Sequence, residues 1–333
     1  MLYTFSHEIV HFIENWNPVK YGILDNLGFN GGRMLEPSCG VGHFAGAMPA
    51  AMQHLVKSWT MVEIDSITGQ IAKLLYPNND VRVQGFEQSN IPDGYMDVAI
   101  GNVPFSSNGV IDKSMPKELT SSLHNYFFAK ALKKVHEGGI VMFITSRYTM
   151  DARDSSFRKY LMKQANVLGA IRLPNTAFKS NAGTSVVTDI IVLQKKSERV
   201  ENTGLDITES QYHWIDGNGD YYNNYFEQHP EMIMGELTIS RGMHYQNEVD
   251  VNPDTSTSLG EQIAKAAENI HGEIVYPARP TAEQANVKQS EAKKKNQKLK
   301  AKDGKIFSID ETGSEVEVEL DAKDAKKIAY RQL

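Results

Sequence analysis

The sequence predicts an α/β protein: a doubly wound, mostly parallel sheet with helices on both faces, a late β-hairpin and a small irregular C-terminal extension. Three observations predict it. Short apolar strands alternate with helical stretches from Gly28 to Leu193, the pattern that crossover helices on a parallel sheet produce. The first strand-to-helix turn is glycine-rich, Gly40-Val41-Gly42. A strand from Met96 to Gly101 runs straight into Asn102-Val103-Pro104-Phe105. An amide, a kinked backbone and an aromatic ring then share the carboxyl edge of the sheet, where open α/β sheets take their ligands.

In chain order, Ser6 to Leu27 reads as helical with a break near Asn17-Pro18. Gly28 and Gly31-Gly32 lead into a strand, Arg33-Met34-Leu35, and Phe44 to Leu55 reads as a helix after the glycine loop. Trp59 to Ile64 is the second strand, Ser66 to Leu75 a helix capped by Asp65 or Ser66, and Val81 to Val83 the third strand. His124 to Val135 puts Phe127, Ala131 and Val135 on one helical face. Gly138-Gly139 ends it, and Ile140 to Ile144 is a buried strand. Phe157 to Gln164 reads as a helix, and Val167 to Leu173 and Val186 to Leu193 as β-branched strands, paired around the loop Pro174 to Ser185.

Beyond Lys196 the pattern weakens. Asp216 to Asp220 is turn-rich, Val251 to Ser258 a polar linker and Ser258 to Ile270 a helix. Thr281 to Asp303 is polar, charged and poor in large apolar residues, so it reads as a linker. Ile306 to Leu320 alternates as a small hairpin would. The expected division is therefore an N-terminal helical segment (1–28), a catalytic domain (29–197), an irregular extension (198–257), a helix and charged linker (258–303) and a hairpin-like tail (304–333). The whole reads as part of a longer polypeptide.

Composition narrows the possibilities. The chain has 333 residues, 41% of them hydrophobic, a net charge of −6 and one cysteine. No apolar run reaches the ~18 residues a bilayer crossing needs, and Glu8 and Glu14 interrupt the apolar residues at the N-terminus so that no signal-peptide pattern is read there; a membrane partner is not expected. One cysteine fits a reducing cytoplasm and excludes both a disulfide framework and a Cys-rich zinc site. The histidines lack metal-ligand spacing, so no metal is expected. The acidic average hides a basic stretch: from Val110 to Ser180 there are twelve Lys/Arg against five Asp/Glu, a zone able to meet phosphates or simply a set of solvated helix faces.

Gly40 and Gly42 let the backbone turn sharply and approach a ligand without a Cβ in the way. Glu36-Pro37 precedes them, Ser38-Cys39 joins them and Phe44 follows. Glu63 ends the second strand, where a carboxylate can accept both hydroxyls of a ribose, and Ile64 offers an apolar surface to an adenine. The loop lacks the third glycine of a dinucleotide site and the Lys-Ser/Thr of a phosphate loop. A nucleoside with a short charged tail fits better, namely S-adenosylmethionine, with Glu36 near its ammonium. Cys39 has no base beside it in sequence and is not read as a nucleophile.

The Asn102 side chain and the Val103 carbonyl together supply two acceptors for one NH₂ group. Pro104 biases Val103 toward extended backbone, and Phe105 offers a π-face for a planar base. Two acceptors on one amino group turn its lone pair out of conjugation and toward a methyl donor.

Leu35 to Phe44 resembles motif I of amino-methyltransferases acting on adenine N6 in DNA. Val62-Glu63-Ile64-Asp65 resembles motif II, and Asn102-Val103-Pro104-Phe105 resembles the catalytic Asn/Asp-Pro-Pro-Tyr/Phe motif IV. Motif I before motif IV is the γ-type order. His124 to Phe128, Ile171-Arg172-Leu173-Pro174, Ala182-Gly183-Thr184, Thr188-Asp189-Ile190 and His229-Pro230-Glu231 are similar to the methylase modules of large phage, plasmid and conjugative-element proteins that also carry a helicase-like region. The resemblance implies a Rossmann-like, S-adenosylmethionine-dependent methyltransferase fold and a base flipped out of DNA. It implies catalysis by Asn102, Val103, Pro104 and Phe105, and a helicase-like region of the same polypeptide as a further partner. It also puts Phe86 over the cofactor adenine and Glu87 near its amino group, and gives Phe178 either a stacking role on the flipped base or a packing role in its loop. Val103 stands where the pattern has its first proline, and Tyr3-Thr4-Phe5 is only a loose echo of motif X. The same four residues serve a protein glutamine amide or an RNA adenine, and a catalytically silent DNA-binding or structural module of a defence or anti-restriction protein is the third alternative.

Overall fold

The computed structural model describes residues 17–106, 108–178, 186–241 and 247–277, and three short strands beyond them. The chain divides into two compact units, Met1–Pro277 and Ala278–Leu333. In the first, α1 (Asn17–Asn26) leads to β1 (Gly32–Glu36), α2 (His43–Gly46), α3 (Ala50–Gln53), β2 (Val56–Glu63), α4 (Ser66–Leu75), β3 (Asp80–Val83) and β4 (Met96–Asn102). Then come α5 (Leu123–Lys134), β5 (Val135–Ser146), α6 (Tyr148–Asp151), α7 (Ser156–Gln164), β6 (Ala165–Leu173) and β7 (Thr188–Lys195). The extension holds β8 (Ser210–Ile215), β9 (Asn218–Asn223), α8 (Asn224–Gln228), β10 (Gly235–Arg241), β11 (Asn247–Pro253) and α9 (Leu259–Ala267).

Strands β1 to β7 form one sheet in the order β3-β2-β1-β4-β5-β7-β6. All pairings are parallel except those of β7, which runs antiparallel to both β5 and β6. The order reverses between β1 and β4, so their carboxyl ends diverge and leave a crevice there. Met34, Leu35, Val98, Ala99, Ile100 and Val141 are all fully buried. Central strands covered on both faces read as continuous apolar runs rather than alternating ones, which is why they were visible in the sequence.

A cluster at the opposite edge fixes the register of three strands. Asp97 Oδ2 accepts hydrogen bonds from Arg33 N (2.8 Å) and Arg33 Nε (3.1 Å), and His136 Nε2 lies 3.2 Å from its Oδ1. Burial on its own would raise the Asp97 pKa, but His136 and the Arg33 donors outweigh it and hold the carboxyl at about 2. Gly32 has φ +135°, and a Cβ there would run into the Asp97 carboxylate.

Three segments depart from the sequence reading. The helix expected from Phe44 to Leu55 is two short helices with Pro49 between them, because proline cannot supply the hydrogen bond of a continuing helix. The extension expected to be irregular is ordered. Hairpin β8–β9 turns at Asp216 (φ +50°) and Gly217 (φ +81°), and β10–β11 is a second antiparallel pair. The helix expected in a linker, α9, carries a capping box at Ser258 and Glu261 and packs on α1. The residues after it bond to the sheet unit, Ile274 N to Leu27 O (2.8 Å) and Asn30 N to Tyr276 Oη (3.0 Å). The compact unit runs to Pro277. In the second unit, Lys298–Lys302, Lys305–Ile309 and Glu315–Glu317 form a three-stranded antiparallel sheet. The expected turn from Asp310 to Ser314, and Val318 and Leu320, lie outside the described residues, as do Tyr3-Thr4-Phe5 and Ala182-Gly183-Thr184.

Candidate active site

The glycine loop is held by three short bonds. Cys39 N donates to Val62 O (2.9 Å), Gly42 N to Cys39 O (2.8 Å) and Gly40 N to Glu63 Oε2 (2.8 Å). The other Glu63 oxygen accepts from Asp65 N (2.8 Å). Glu63 therefore ties β1's loop to its own strand end with one bond per oxygen, and each oxygen keeps lone-pair capacity. The two glycines differ. Gly40 (φ +57°) faces open space, where a Cβ would meet nothing within 4 Å. Gly42 (φ +87°) is packed against the Tyr76 ring and Met61. Tyr76 Oη also donates to Gly42 O (2.7 Å). Sequence reading missed Tyr76; it lies beyond α4, and no local pattern links it to the loop.

Glu36 is buried at the end of β1. Burial raises the Cys39 pKa far above its ordinary value, and Glu36 and Glu63 add to it. Burial also raises that of Tyr76, followed by Glu36. Cys39 is thus a buried, protonated thiol. Two carboxylates flank the loop, a field that suits a cationic ligand.

At the next strand, Ser38 Oγ donates to the Asn102 backbone carbonyl (2.7 Å), which brings motif I and motif IV into direct contact across the crevice. Pro37 sits against Gly101. Asn102 pairs with Ile144 in register, and Val103 N donates to Ile144 O (3.1 Å). The Val103 side chain is buried and anchors the tetrapeptide, while Phe105 is 36% exposed. The Asn102 Oδ1 atom is buried and has no hydrogen-bond partner. A buried carbonyl oxygen left unpaired costs ~1–3 kcal/mol, so it marks a place where an incoming donor gains.

The loop after Phe105 is pinned to α5. Ser106 O accepts from Leu123 N (3.2 Å) and contacts His124 Nδ1 (3.1 Å). Burial lowers the His124 pKa, so the ring is neutral at pH 7. Asp112 Oδ2 accepts from Lys130 Nζ and Tyr126 Oη, both at 2.7 Å. These residues surround Phe86, whose ring lies 5.3 Å from Phe127 and 5.1 Å from Lys130 Nζ.

The other expected site residues fall as follows. Ile64 is 73% exposed beside Glu63. Phe86 and Phe44 are buried in the core, and the Glu87 carboxylate folds back over Gly85. Phe178 is also a core residue; residues 179–185, which follow it, lie outside the described part. Arg172 and Asp189, from two of the resembling segments, form a fully buried two-point ion pair (2.9 Å for each bond). Glu231, from another of the resembling segments, lines a cavity of about 670 Å³ in the extension, and none of the residues expected to catalyse, to bind the cofactor or to stack on the base lines it. Among the described residues no group of three or more His, Cys, Asp or Glu could hold a metal ion, and no helix is long and apolar enough to cross a membrane.

A glycine loop and an Asn-x-Pro-Phe strand end meet across the switch point of a 3-2-1-4-5-7-6 sheet, and the sheet has the fold of the class I methyltransferases. Residues 57–178 match the family Eco57I restriction-modification methylase. The chain is 32% identical over 187 residues to "Defense against restriction protein B" of Escherichia phage P1, a span of 54% of this chain. It covers 8% of that protein's length. Among solved structures, a type I restriction-modification methyltransferase subunit from Streptococcus thermophilus is 14% identical, with a TM-score of 0.49 over 80% of this chain and 53% of that one. The EcoKI M protein, a type I restriction enzyme component, is 15% identical, with a TM-score of 0.41 over 56% and 43%. The methylase match supports S-adenosylmethionine as the cofactor.

Proposed function

We propose that the domain methylates the N6 amino group of adenine in DNA, with the base flipped out of the helix. The observation that carries this reading is the buried, unpartnered Asn102 Oδ1 next to the open glycine loop. An acceptor kept dry and unpaired is suited to an NH₂ group, and a neighbouring peptide carbonyl at Val103 supplies the second acceptor.

The residues present fit S-adenosylmethionine. Gly40 leaves free space above the loop, Glu63 keeps acceptor capacity for ribose hydroxyls, Ile64 offers an exposed apolar surface, and Glu36 places negative charge near an ammonium. When bound, the cofactor supplies an electrophilic methyl group on a sulfonium. The chain itself does the rest by positioning. Asn102 and the Val103 carbonyl accept from the two amino protons and localise the nitrogen lone pair, and Phe105 stacks on the base to hold its plane. The extruded base is required because N6 is not accessible in this geometry within a stacked duplex.

The test is transfer of tritiated methyl from labelled S-adenosylmethionine to DNA, to RNA and to a glutamine-containing protein, with Asn102→Ala in parallel. Label on adenine N6 of DNA alone, lost in the variant, is expected. Equal transfer by both proteins removes Asn102 from the mechanism, and label on a protein amide or RNA replaces the substrate.

A further inference from the structure

Hairpin β8–β9 has two unlike faces. On one, His213 stacks on Tyr222 with ring centroids 3.7 Å apart, and Tyr222 is buried. The other carries Tyr212, Trp214 and Tyr221. Tyr212 pairs with Tyr221 across the strands, and its ring lies 5.1 Å from Tyr221 and 5.4 Å from Trp214. These aromatics are not core: Trp214 is 69% exposed and Tyr212 44%. The Arg153 guanidinium lies 4.2 Å over the Tyr221 ring.

The base of the hairpin is stapled to the turn that follows β5. Ser210 Oγ and Asn223 Nδ2 both donate to Met150 O (2.9 and 2.8 Å), and Asn223 N donates to Asp151 Oδ1 (3.0 Å). β5 is the strand whose Ile144 pairs with Asn102. Between them stands Tyr148, 51% exposed, with the Arg147 guanidinium 4.4 Å over its ring. Exposed rings, first Tyr148 and then Tyr212 and Trp214, with Arg153 over Tyr221, therefore lead from the turn after β5 out along the hairpin.

We propose that this face is a nucleobase-stacking arm that holds an unpaired stretch of nucleic acid beside the catalytic edge. The inference rests on the reading of the substrate as nucleic acid. Contiguous exposed aromatics are costly unless they meet a partner. Every base has a π-face, and stacking on an exposed aromatic contributes ~1–3 kcal/mol per base. The exposed Arg153 supplies a planar cation able to stack on a ring and to meet a phosphate in two-point fashion. An enzyme that extrudes a base leaves neighbouring nucleotides unstacked, and a stacking surface continuous with the active edge accommodates them.

The experiment titrates the full chain with a fluorescent single-stranded adenine-containing oligonucleotide and with a duplex, and measures methyl transfer to DNA in parallel. Trp214→Ala removes the most exposed ring without touching the buried face, and Tyr212→Ala/Trp214→Ala removes two; thermal melting checks both folds. Roughly 10-fold weaker single-strand binding for Trp214→Ala, a further loss in the double variant, a raised KM for DNA and an unchanged Kd for S-adenosylmethionine are expected. Binding and transfer by folded variants at wild-type levels overturn the arm and leave the methylation reading standing. Ring-dependent oligonucleotide binding without methyl transfer to any nucleic acid upholds the arm and overturns that reading. A wild-type chain that binds neither oligonucleotide overturns the arm outright.

Discussion

Replacing Glu63 tests how far the order of the glycine loop determines cofactor binding. Its carboxylate accepts from Gly40 N and Asp65 N, each at 2.8 Å. Hydrogen bonds to a charged group contribute ~1.5–3 kcal/mol, and the low end suits this half-exposed carboxylate. Glu63→Ala removes both, ~3 kcal/mol in all. The bonds of Cys39 N to Val62 O and Gly42 N to Cys39 O remain, so the loop loosens rather than collapses. The expected outcome is a Kd for S-adenosylmethionine raised between ~10- and ~100-fold, with the fold retained. Glu63→Gln keeps an acceptor but loses the charge, and falls between the two. Isothermal calorimetry reads the affinities, and S-adenosylhomocysteine, which lacks the sulfonium charge, separates loop order from charge attraction. A Kd within twofold of wild type in a folded Glu63→Ala protein refutes the role given to Glu63.

Two further outcomes follow from the shifted ionisations. Asp97 has its pKa lowered from 3.8 to about 2 in the folded state, so its contribution is present above about pH 4 and lost as pH falls through about 2. That shift corresponds to ~2 kcal/mol; Asp97→Asn should cost about this at pH 7, and urea melts of the two proteins should converge toward pH 2. A constant gap across that range would contradict it. Cys39 is buried with a raised pKa, so a thiol-disulfide reagent at pH 8 should modify it only after denaturation, and Cys39→Ala should retain methyl transfer. Fast labelling of the native protein would contradict the buried thiol.

Much of the fold was legible because its central strands are buried on both faces and punctuated by glycine. The apolar runs at Met96 to Gly101 and Ile140 to Ile144, and the turn at Gly40 to Gly42, placed β4, β5 and the loop directly. The β6–β7 pairing followed from two β-branched runs. The ordered extension was harder. Its hairpin turns its aromatics outward, Tyr212 and Trp214 above all, so the usual alternation of apolar inward and polar outward is inverted. The Asp216-Gly217 pair was the available signal, since an Asp-Gly turn flanked by alternating residues marks a hairpin. Tyr76, the Asp97 cluster and the Asp112–Lys130 pair were invisible because each joins residues far apart in sequence, and no local period encodes such a contact. At the site, the residues near the chain turns were read from motif chemistry. The burial of Phe86 and Phe178 depends on what packs over them, which sequence spacing does not specify.

The Arg172 ion pair has a practical consequence for cutting and joining this chain. Asp151 accepts from Arg172 (2.8 Å) and Arg147 (3.2 Å), while Arg147 also reaches Asp220 (3.3 Å), which in turn accepts from Val249 N (3.1 Å). Sheet strand, helical turn and both hairpins of the extension therefore share a single web of charge. A fragment cloned to stop at residue 197 would strand Arg147 without one of its two carboxylates and remove the Phe226 ring against which Arg172 rests at 4.0 Å. Chimeras that graft a new partner onto this domain should keep everything through Pro277 and exchange material only after it.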